Sequence, residues 1–342
     1  MGDALTRVAT IAAALALMVG LPVRAAARTQ TGAPASAETD GPAVEAAGAA
    51  GAAGEFELLP PPAPGDWRAA LCEREQAFEE YASRYAPLAL ADKPCPPADR
   101  PVIRVLPMGP ASQADAEEMA LLERFLQAYF SSRVLVEERR LPPASVRRRP
   151  SRGFGRQLLA DDILREIGRD MPADTIVRLA VTREDLFASA RRGVYFNFVF
   201  GTGSSDERAA VASSARYHQH YPDEPAGVTP GKRFFKLAAH ETGHVLGLAH
   251  CARYRCCMNG SNSLAESDRR PVHLCPDCLR KVEWRLALGE SDRAGRYRAL
   301  AEVYRELGWV EEEAFVAARA GTPQARAQGD APASSPRVEE PP

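Results

Sequence analysis

Residues 240–250 read His-Glu-Thr-Gly-His-Val-Leu-Gly-Leu-Ala-His. Four residues of α-helix turn the chain by about 400°, so His240 and His244 lie on one face and can bind one metal ion. Glu241 lies beside them without being placed as a ligand. Gly247 can adopt a positive φ that ends the helix, and the returning chain then offers His250 as a third nitrogen ligand. The pattern predicts a zinc site of the catalytic kind, with three protein ligands and one open position.

The segments around this pattern predict its structural setting. A mostly apolar run from Phe234 to Leu248 predicts a buried helix, because a helix that is apolar on most sides packs against the protein all round. Upstream, strand patterns alternate with helical patterns, which favours parallel strands joined by right-handed crossovers. The predicted strands are 102–106, 133–138, 175–181, 195–200 and 209–217, and the predicted helices are 114–130 and 156–171.

The predicted fold class is α/β (α+β), with a mixed, mostly parallel twisted sheet over an active-site helix. Helical patterns at 279–288, 293–307 and 311–320 predict a C-terminal helical subdomain. Residues 209–217 are the candidate exposed edge of the sheet. An extended peptide can hydrogen-bond to such an edge through its main chain.

Five cysteines follow the third histidine, at positions 251, 256, 257, 275 and 278. The pair Cys275-x2-Cys278 has the spacing of a structural zinc knuckle, and Cys251 and Cys256 can supply two further thiolates for a tetrahedral site. Two disulfides are the alternative, because the chain has features of an exported protein. Cys257 is the odd thiol and can compete with Cys256. His273, two residues before Cys275, is another candidate ligand.

The run from His240 to Cys278 resembles the archaemetzincin signature, H-E-x-x-H-x-x-G-x-x-H-C-x4-C-x-M followed by C-x-x-C. Archaemetzincins are zinc peptidases of the metzincin clan with a second, structural zinc. The resemblance extends over about residues 101–318 and implies a metzincin-like fold with Met258 in the Met-turn. Many metzincins carry a tyrosine two residues after this methionine, whereas here Asn259 and Gly260 follow it. The resemblance implies two Zn²⁺ per chain, one catalytic (His240, His244, His250) and one structural (Cys251, Cys256, Cys275, Cys278).

The predicted function is a zinc metallopeptidase that hydrolyses peptide bonds through a zinc-bound water, with Glu241 as general base. Its partner is a peptide or protein substrate, and we expect a monomer. The alternative is a weakly active or inactive zinc-stabilised peptide-binding module at the cell envelope. Glu241 argues against this alternative, since a binding module needs no such carboxylate. The formal net charge of −2 argues against a general nucleic-acid binder.

The first 27 residues have the pattern of a signal peptide. Arg7 precedes an apolar run from Val8 to Val23, and Ala25-Ala26-Ala27 offers a cleavage site. We therefore expect an exported protein, periplasmic or secreted, with no stable membrane span after cleavage. The alternative is an uncleaved N-terminal anchor.

Composition divides the rest of the chain. Residues 28–65 are rich in Ala, Gly and Pro and predict a disordered linker, and residues 321–342 predict a disordered tail. Residues 66–100 predict a short extension with one helix over 66–85. Cys72 in this helix can form a disulfide with Cys95 in the turn that follows it. The predicted catalytic domain spans residues 101–320. Within it, the segment 139–156 holds seven arginines and no acid, which predicts a solvated mobile loop.

Overall fold

The computed structural model describes residues 56–71, 73–85, 101–110, 115–190, 195–222 and 224–320. The expected signal peptide, the linker up to residue 55, the C-terminal tail, Cys72 and Cys95 all lie outside the described residues. Across the described ranges, every helix is too short or too polar to cross a membrane.

The described residues form eight strands. They are β1 (Val102–Met108), β2 (Val134–Val136), β3 (Arg148–Ser151), β4 (Gly155–Leu159), β5 (Thr175–Thr182), β6 (Asp185–Phe187), β7 (Gly201–Ser204) and β8 (Ala209–Ser213). Five of these strands form one sheet with the order β2-β1-β5-β8-β7. The first four strands in this order run parallel, and β7 pairs antiparallel with β8 at the edge. The prediction of a mixed, mostly parallel sheet is therefore confirmed.

Nine helices are present in the described residues, and three of them close the C-terminal part as predicted. They are α1 (Trp67–Leu71), α2 (Phe78–Arg84), α3 (Asp115–Phe130), α4 (Ala160–Gly168), α5 (Pro230–Val245), α6 (Leu264–Asp268), α7 (Pro276–Arg285), α8 (Glu290–Glu306) and α9 (Val310–Ala320).

The two faces of the sheet are buried under different helices. Along β5, Val177, Leu179 and Val181 belong to one apolar cluster, while Ala180 between them belongs to the other, as the two-residue period of a strand requires. The first cluster includes side chains of α3, α5 and α8, and the second includes side chains of α4. Ala210 and Ala212 of β8 belong to the cluster that contains α5, and their small side chains let α5 lie close to the sheet.

The arginine-rich segment is more ordered than its composition predicts. It forms the β3–β4 hairpin, and β4 also pairs parallel with β6 in a second, three-stranded sheet. Two of its arginines pair with acids from other elements: Arg147 contacts Asp162 at 2.8 Å, and Arg156 contacts Glu184 at 2.6 Å. Since these partners come from α4 and from the loop after β5, the segment alone does not reveal them.

The N-terminal extension departs from the prediction in two ways. Residues 66–85 form two short helices, α1 and α2, with a non-helical stretch between them, instead of one helix. Residues 56–65, assigned to the linker by composition, pair with the loop after the third histidine. Leu58 forms an antiparallel bridge with Tyr254, and the Leu59 N–H donates to the Arg253 carbonyl at 2.8 Å.

Candidate active site

Helix α5 begins and ends with well-defined caps. Thr229 at its N-cap accepts the Lys232 N–H on its side-chain oxygen at 3.1 Å, and Pro230 occupies the first turn. At the other end Gly247 has a φ of +98°, as the sequence predicts. The Leu248 N–H donates to the Gly243 carbonyl at 3.0 Å, so the chain reverses sharply beyond the helix.

Buried charges fix α5 against the rest of the domain. The Arg233 guanidinium pairs with Asp268 at 2.7 Å and also contacts Glu224. One turn later, Lys236 donates from Nζ to the carbonyls of Ser267 and Arg270 at 2.7 and 3.1 Å. Burial lowers the pKa of Lys236 to about 7. The helix is therefore tied along one side to α6 and the loop that follows it.

The structure brings the three predicted histidines together. All three offer a ring nitrogen within 4.8 Å of the others, and Nε2 of His240 lies 3.0 Å from Nε2 of His244. On the outer side of each ring, Nδ1 has an acceptor. The acceptor is the Cys257 carbonyl for His240 and the Leu248 carbonyl for His244, both at 2.8 Å, and it is a carboxylate of Glu73 for His250.

This arrangement fits a zinc ion. A carbonyl oxygen only accepts hydrogen bonds, so the protons of His240 and His244 are assigned to Nδ1 and their Nε2 lone pairs face each other. Burial, with smaller contributions from His244, Arg270 and His250, lowers the pKa of His240 well below its ordinary value, which keeps it neutral. Zinc–nitrogen bonds of about 2.0–2.1 Å can meet across such a separation.

Glycines in β7 give Glu241 its space. A Cβ on Gly201 would lie 2.8 Å from Cγ of Glu241, and one on Gly203 would lie 2.7 Å from its carbonyl oxygen. The edge strand can approach the helix at this point only because both positions lack side chains.

The sequence prediction of the edge is wrong, since β8 is paired on both sides and β7 forms the edge. Strand pairing decides this, and a single strand's pattern does not show it.

Met258 packs against helix α5, which carries His240 and His244. It is fully buried, and a Cβ on Gly243 would lie 2.6 Å from its Sδ. Its carbonyl accepts the Cys251 N–H at 2.8 Å. The methionine therefore packs between the active-site helix and the loop that follows His250.

Four cysteines form a second cluster beside the histidines. Their Sγ atoms all lie within 4.8 Å of one another, and those of Cys251 and Cys275 are 3.7 Å apart. All five described cysteines are thiols, so the disulfide alternative is not realised in the described part of the chain. Hydrogen bonds from Cys256, Cys275 and Cys278 lower the pKa of Cys251. Four sulfurs at this separation fit a tetrahedral zinc with bonds of about 2.3 Å.

The other two candidate ligands, Cys257 and His273, belong to neither cluster. Cys257 directs Sγ at the Lys236 carbonyl, 3.5 Å away, and lies outside the cysteine cluster. His273 stacks on Phe315 at 3.6 Å between ring centroids. Burial lowers the pKa of His273 to about 3. Cys251, Cys256, Cys275 and Cys278 are thus the residues that the structure gathers.

The chain is similar to members of one peptidase family. The profile of peptidase family M54 matches residues 146–284, a range that holds both clusters. An archaemetzincin of Thermococcus kodakarensis is 32% identical over 186 residues, which cover 53% of this chain and 95% of that protein. The chain belongs to the archaemetzincin family. It is accordingly a zinc metallopeptidase that acts on peptides.

Other relatives match with different coverage. Archaemetzincin-2 of Macaca fascicularis is 28% identical over 295 residues, which cover 77% of this chain and 75% of that protein. The crystal structure of archaemetzincin from Methanopyrus kandleri matches with a TM-score of 0.45 at 28% identity, and covers 56% of this chain and 98% of that one. The N-terminal extension of this archaemetzincin lies before the residues that the family profile matches.

The contacts of that extension with the turn after the helix were not predicted from the sequence. We call residues 56–71 and 73–85 the clamp, because they run antiparallel to residues 246–255 and bond to them repeatedly. The hydroxyl of Tyr81 donates to the Leu246 carbonyl at 2.8 Å, and Gln76 bonds to Gly247 and Ala249 at 3.1 and 3.2 Å. Further contacts join Glu73 to His250, Arg68 to Ala252, Leu59 to Arg253 and Glu57 to Arg255.

Aromatic side chains of the clamp also fill the space above the turn. The Trp67 ring meets the His250 ring edge-on, with centroids 5.1 Å apart. A Cβ on Gly260 would overlap the Trp67 ring, and a Cβ on Gly247 would overlap Tyr85. The one sequence signal for these contacts is the spacing of aromatic residues along 66–85, and it does not identify their partners.

Proposed function

We propose that this enzyme cleaves peptide bonds at the three-histidine cluster with Glu241 as general base. When bound there, zinc supplies Lewis acidity that polarises a carbonyl and lowers the pKa of a water. The observation that carries the proposal is the position of Glu241. It is adjacent to His240, nearly buried, and extends into space that Gly201 leaves open.

The histidines and Glu241 have different roles in this proposal. His240, His244 and His250 would hold the ion, because the Nδ1 atom of each ring is engaged by an outer acceptor and its Nε2 is left for the metal. Glu241 takes a proton from the attacking water and passes it to the leaving amine. Burial of the Glu241 carboxylate lowers the dielectric constant around it and so strengthens its interactions with the reacting groups.

Strand β7 is the proposed binding edge for the substrate. It is the outermost strand of the described five-stranded sheet, and it lies against the helix at Glu241. A peptide lying antiparallel to it would form main-chain hydrogen bonds, which provide affinity with little dependence on sequence.

We further propose a second, structural zinc at Cys251, Cys256, Cys275 and Cys278, which gives two ions per chain. A closed set of four thiolates leaves no position for substrate. Its role is to hold the loop after His250 to the start of α7. The signal-peptide pattern of residues 1–27 predicts export to an oxidising compartment. Metal ligation would keep these thiolates from forming disulfides there. Export and the monomeric state remain proposals from the sequence.

Substitution of Glu241 by Gln tests the catalytic proposal. We expect kcat on a mixed peptide library to fall by about 10²–10⁴-fold, because the amide cannot accept a proton. Zinc content should not change, since Glu241 is not a ligand. Glu302→Gln, on the exposed surface of α8, is the matched control. Full activity of Glu241→Gln would contradict the proposed base, and full activity after removal of metal by a chelator would contradict the proposed site.

A further inference from the structure

We propose that Glu73 is a positioning residue of the catalytic zinc site, so that the N-terminal clamp completes that site. The inference rests on the proposed function, because it assigns a role toward the same ion. It adds a residue that lies 177 positions before His250 and outside the range matched by the family profile.

The contact between Glu73 and His250 has the geometry of a strong hydrogen bond. Both carboxylate oxygens of Glu73 approach Nδ1 of His250, at 2.9 and 3.0 Å. Nδ1 donates to the carboxylate, which leaves Nε2 as the ring nitrogen available to a metal ion. The Glu73 oxygens are not among the atoms that cluster within 4.8 Å at the histidine site. Glu73 therefore acts through the ring of His250 and is not itself a ligand.

His250 needs such a partner more than the other two histidines. His240 and His244 project from a capped and buried helix, and backbone carbonyls hold their rings. His250 lies three residues beyond Gly247, in the turn that follows the helix. A loop side chain loses rotamer freedom when it binds a metal unless another group already holds it. Carboxylates that accept the outer N–H of a ligating histidine fix its orientation and raise its basicity toward the metal.

The rest of the clamp holds Glu73 in place. Gln76 on one side of it bonds to the turn at Gly247 and Ala249, and Arg68 on the other side donates to the Ala252 carbonyl at 2.7 Å. Trp67 packs edge-on against the same imidazole that Glu73 contacts. The ring of His250 is thus held through its Nδ1 by Glu73 and through its edge contact by Trp67, both from one segment.

The test measures metal affinity directly. In the full 342-residue chain, Glu73→Gln keeps the shape and an acceptor oxygen but removes the charge, while Glu73→Ala removes both. Glu79→Gln, an exposed acid of the same segment, controls for the loss of one negative charge. Zinc affinity at the histidine site is obtained by competition with a chelator. Cobalt substitution gives a second readout, because nitrogen and thiolate coordination have different absorption spectra.

We expect Glu73→Gln to weaken zinc binding at the histidine site by about 10-fold and Glu73→Ala by about 100-fold. The cobalt–thiolate bands of the cysteine site should not change in any variant. Zinc affinity of Glu73→Gln within twofold of the unmodified chain would overturn the inference and leave the proposed function intact. An unmodified chain that binds metal only at the cysteines would overturn the proposed function, and the inference with it.

Discussion

The histidine cluster and the four-cysteine cluster lie side by side but are assembled in different ways. The four cysteines come from one continuous stretch, residues 251–278, and three of them are fully or almost fully buried. The three histidines come from a shorter stretch, yet the outer nitrogen of His250 is held by a residue far upstream. A closed structural site can be built from local sequence alone. The histidine site, by contrast, draws part of its support from elsewhere in the chain, through the contact of His250 with Glu73.

The clusters are nevertheless joined through backbone bonds. Cys251 directly follows His250, and the carbonyl of Cys257 accepts the Nδ1–H of His240. The neighbouring Cys256 contributes its sulfur to the other cluster and accepts the Cys275 N–H at 3.3 Å. Cys256 and Cys257 are adjacent but contribute to different sites. A substitution at one or the other can therefore perturb the two sites separately.

Loss of a cysteine ligand should have the largest effect. Cys256→Ser removes a soft thiolate from the proposed structural site, where a bound zinc would contribute directly to the free energy of folding. We expect the chain to lose one zinc and its melting temperature to fall by about 10 °C, which corresponds to several kcal/mol for a domain of this size. Elemental analysis and thermal unfolding measure the two effects. A variant with unchanged zinc content would show that the four sulfurs are not a metal site.

Crowding of the clamp should have an intermediate effect. Gly260→Ala places a methyl group where the Trp67 ring lies, and overpacking of this kind costs about 1–3 kcal/mol. We expect faster hydrogen exchange in residues 56–71 and weaker zinc binding at the histidines, with the cysteine site unaffected. Gly231→Ala is the matched control, because a Cβ there meets no atom within 4 Å. Unchanged exchange in Gly260→Ala would contradict the packing of Trp67 against the turn.

The smallest effect is expected at the neighbouring cysteine. Cys257 lies outside the sulfur cluster, so Cys257→Ser should leave the zinc content of the protein unchanged. Replacement of a buried sulfur by a hydroxyl near the Lys236 carbonyl should cost about 1 kcal/mol or less. The pair Cys256→Ser and Cys257→Ser thus separates ligation from burial at adjacent positions. Loss of zinc in Cys257→Ser would show that Cys257 is a ligand and would contradict its position outside the sulfur cluster.

The parts of the fold that depend on local patterns were predictable from the sequence. The capped helix α5, the positive φ of Gly247 and the parallel strands follow from spacing and alternation within short windows. The clustering of His240, His244 and His250 likewise needs only a helix and a turn, and the cysteine cluster needs the knuckle and its spacing.

The parts that depend on distant partners were not predictable. The pairing of β7 with β8, which moves the sheet edge away from residues 209–213, is decided by tertiary contacts. Residues 56–65 have the composition of a linker, but they are ordered by hydrogen bonds to residues 253–255. Glu73 has the sequence context of an ordinary surface acid. Only the fold shows that it meets His250, because hydrogen bonding between side chains carries no signal in either segment alone.

If Glu73 positions His250 as proposed, their contact couples two events that are otherwise separate, binding of the ion and docking of the clamp. Thermodynamic linkage makes such a coupling reciprocal, so the factor by which the docked clamp tightens zinc binding is the factor by which zinc tightens docking. Occupancy of the catalytic site would then be reported by the protection of residues 56–85 from proteolysis. An ion only a few ångströms across would thereby set the order of a segment that begins almost two hundred residues upstream.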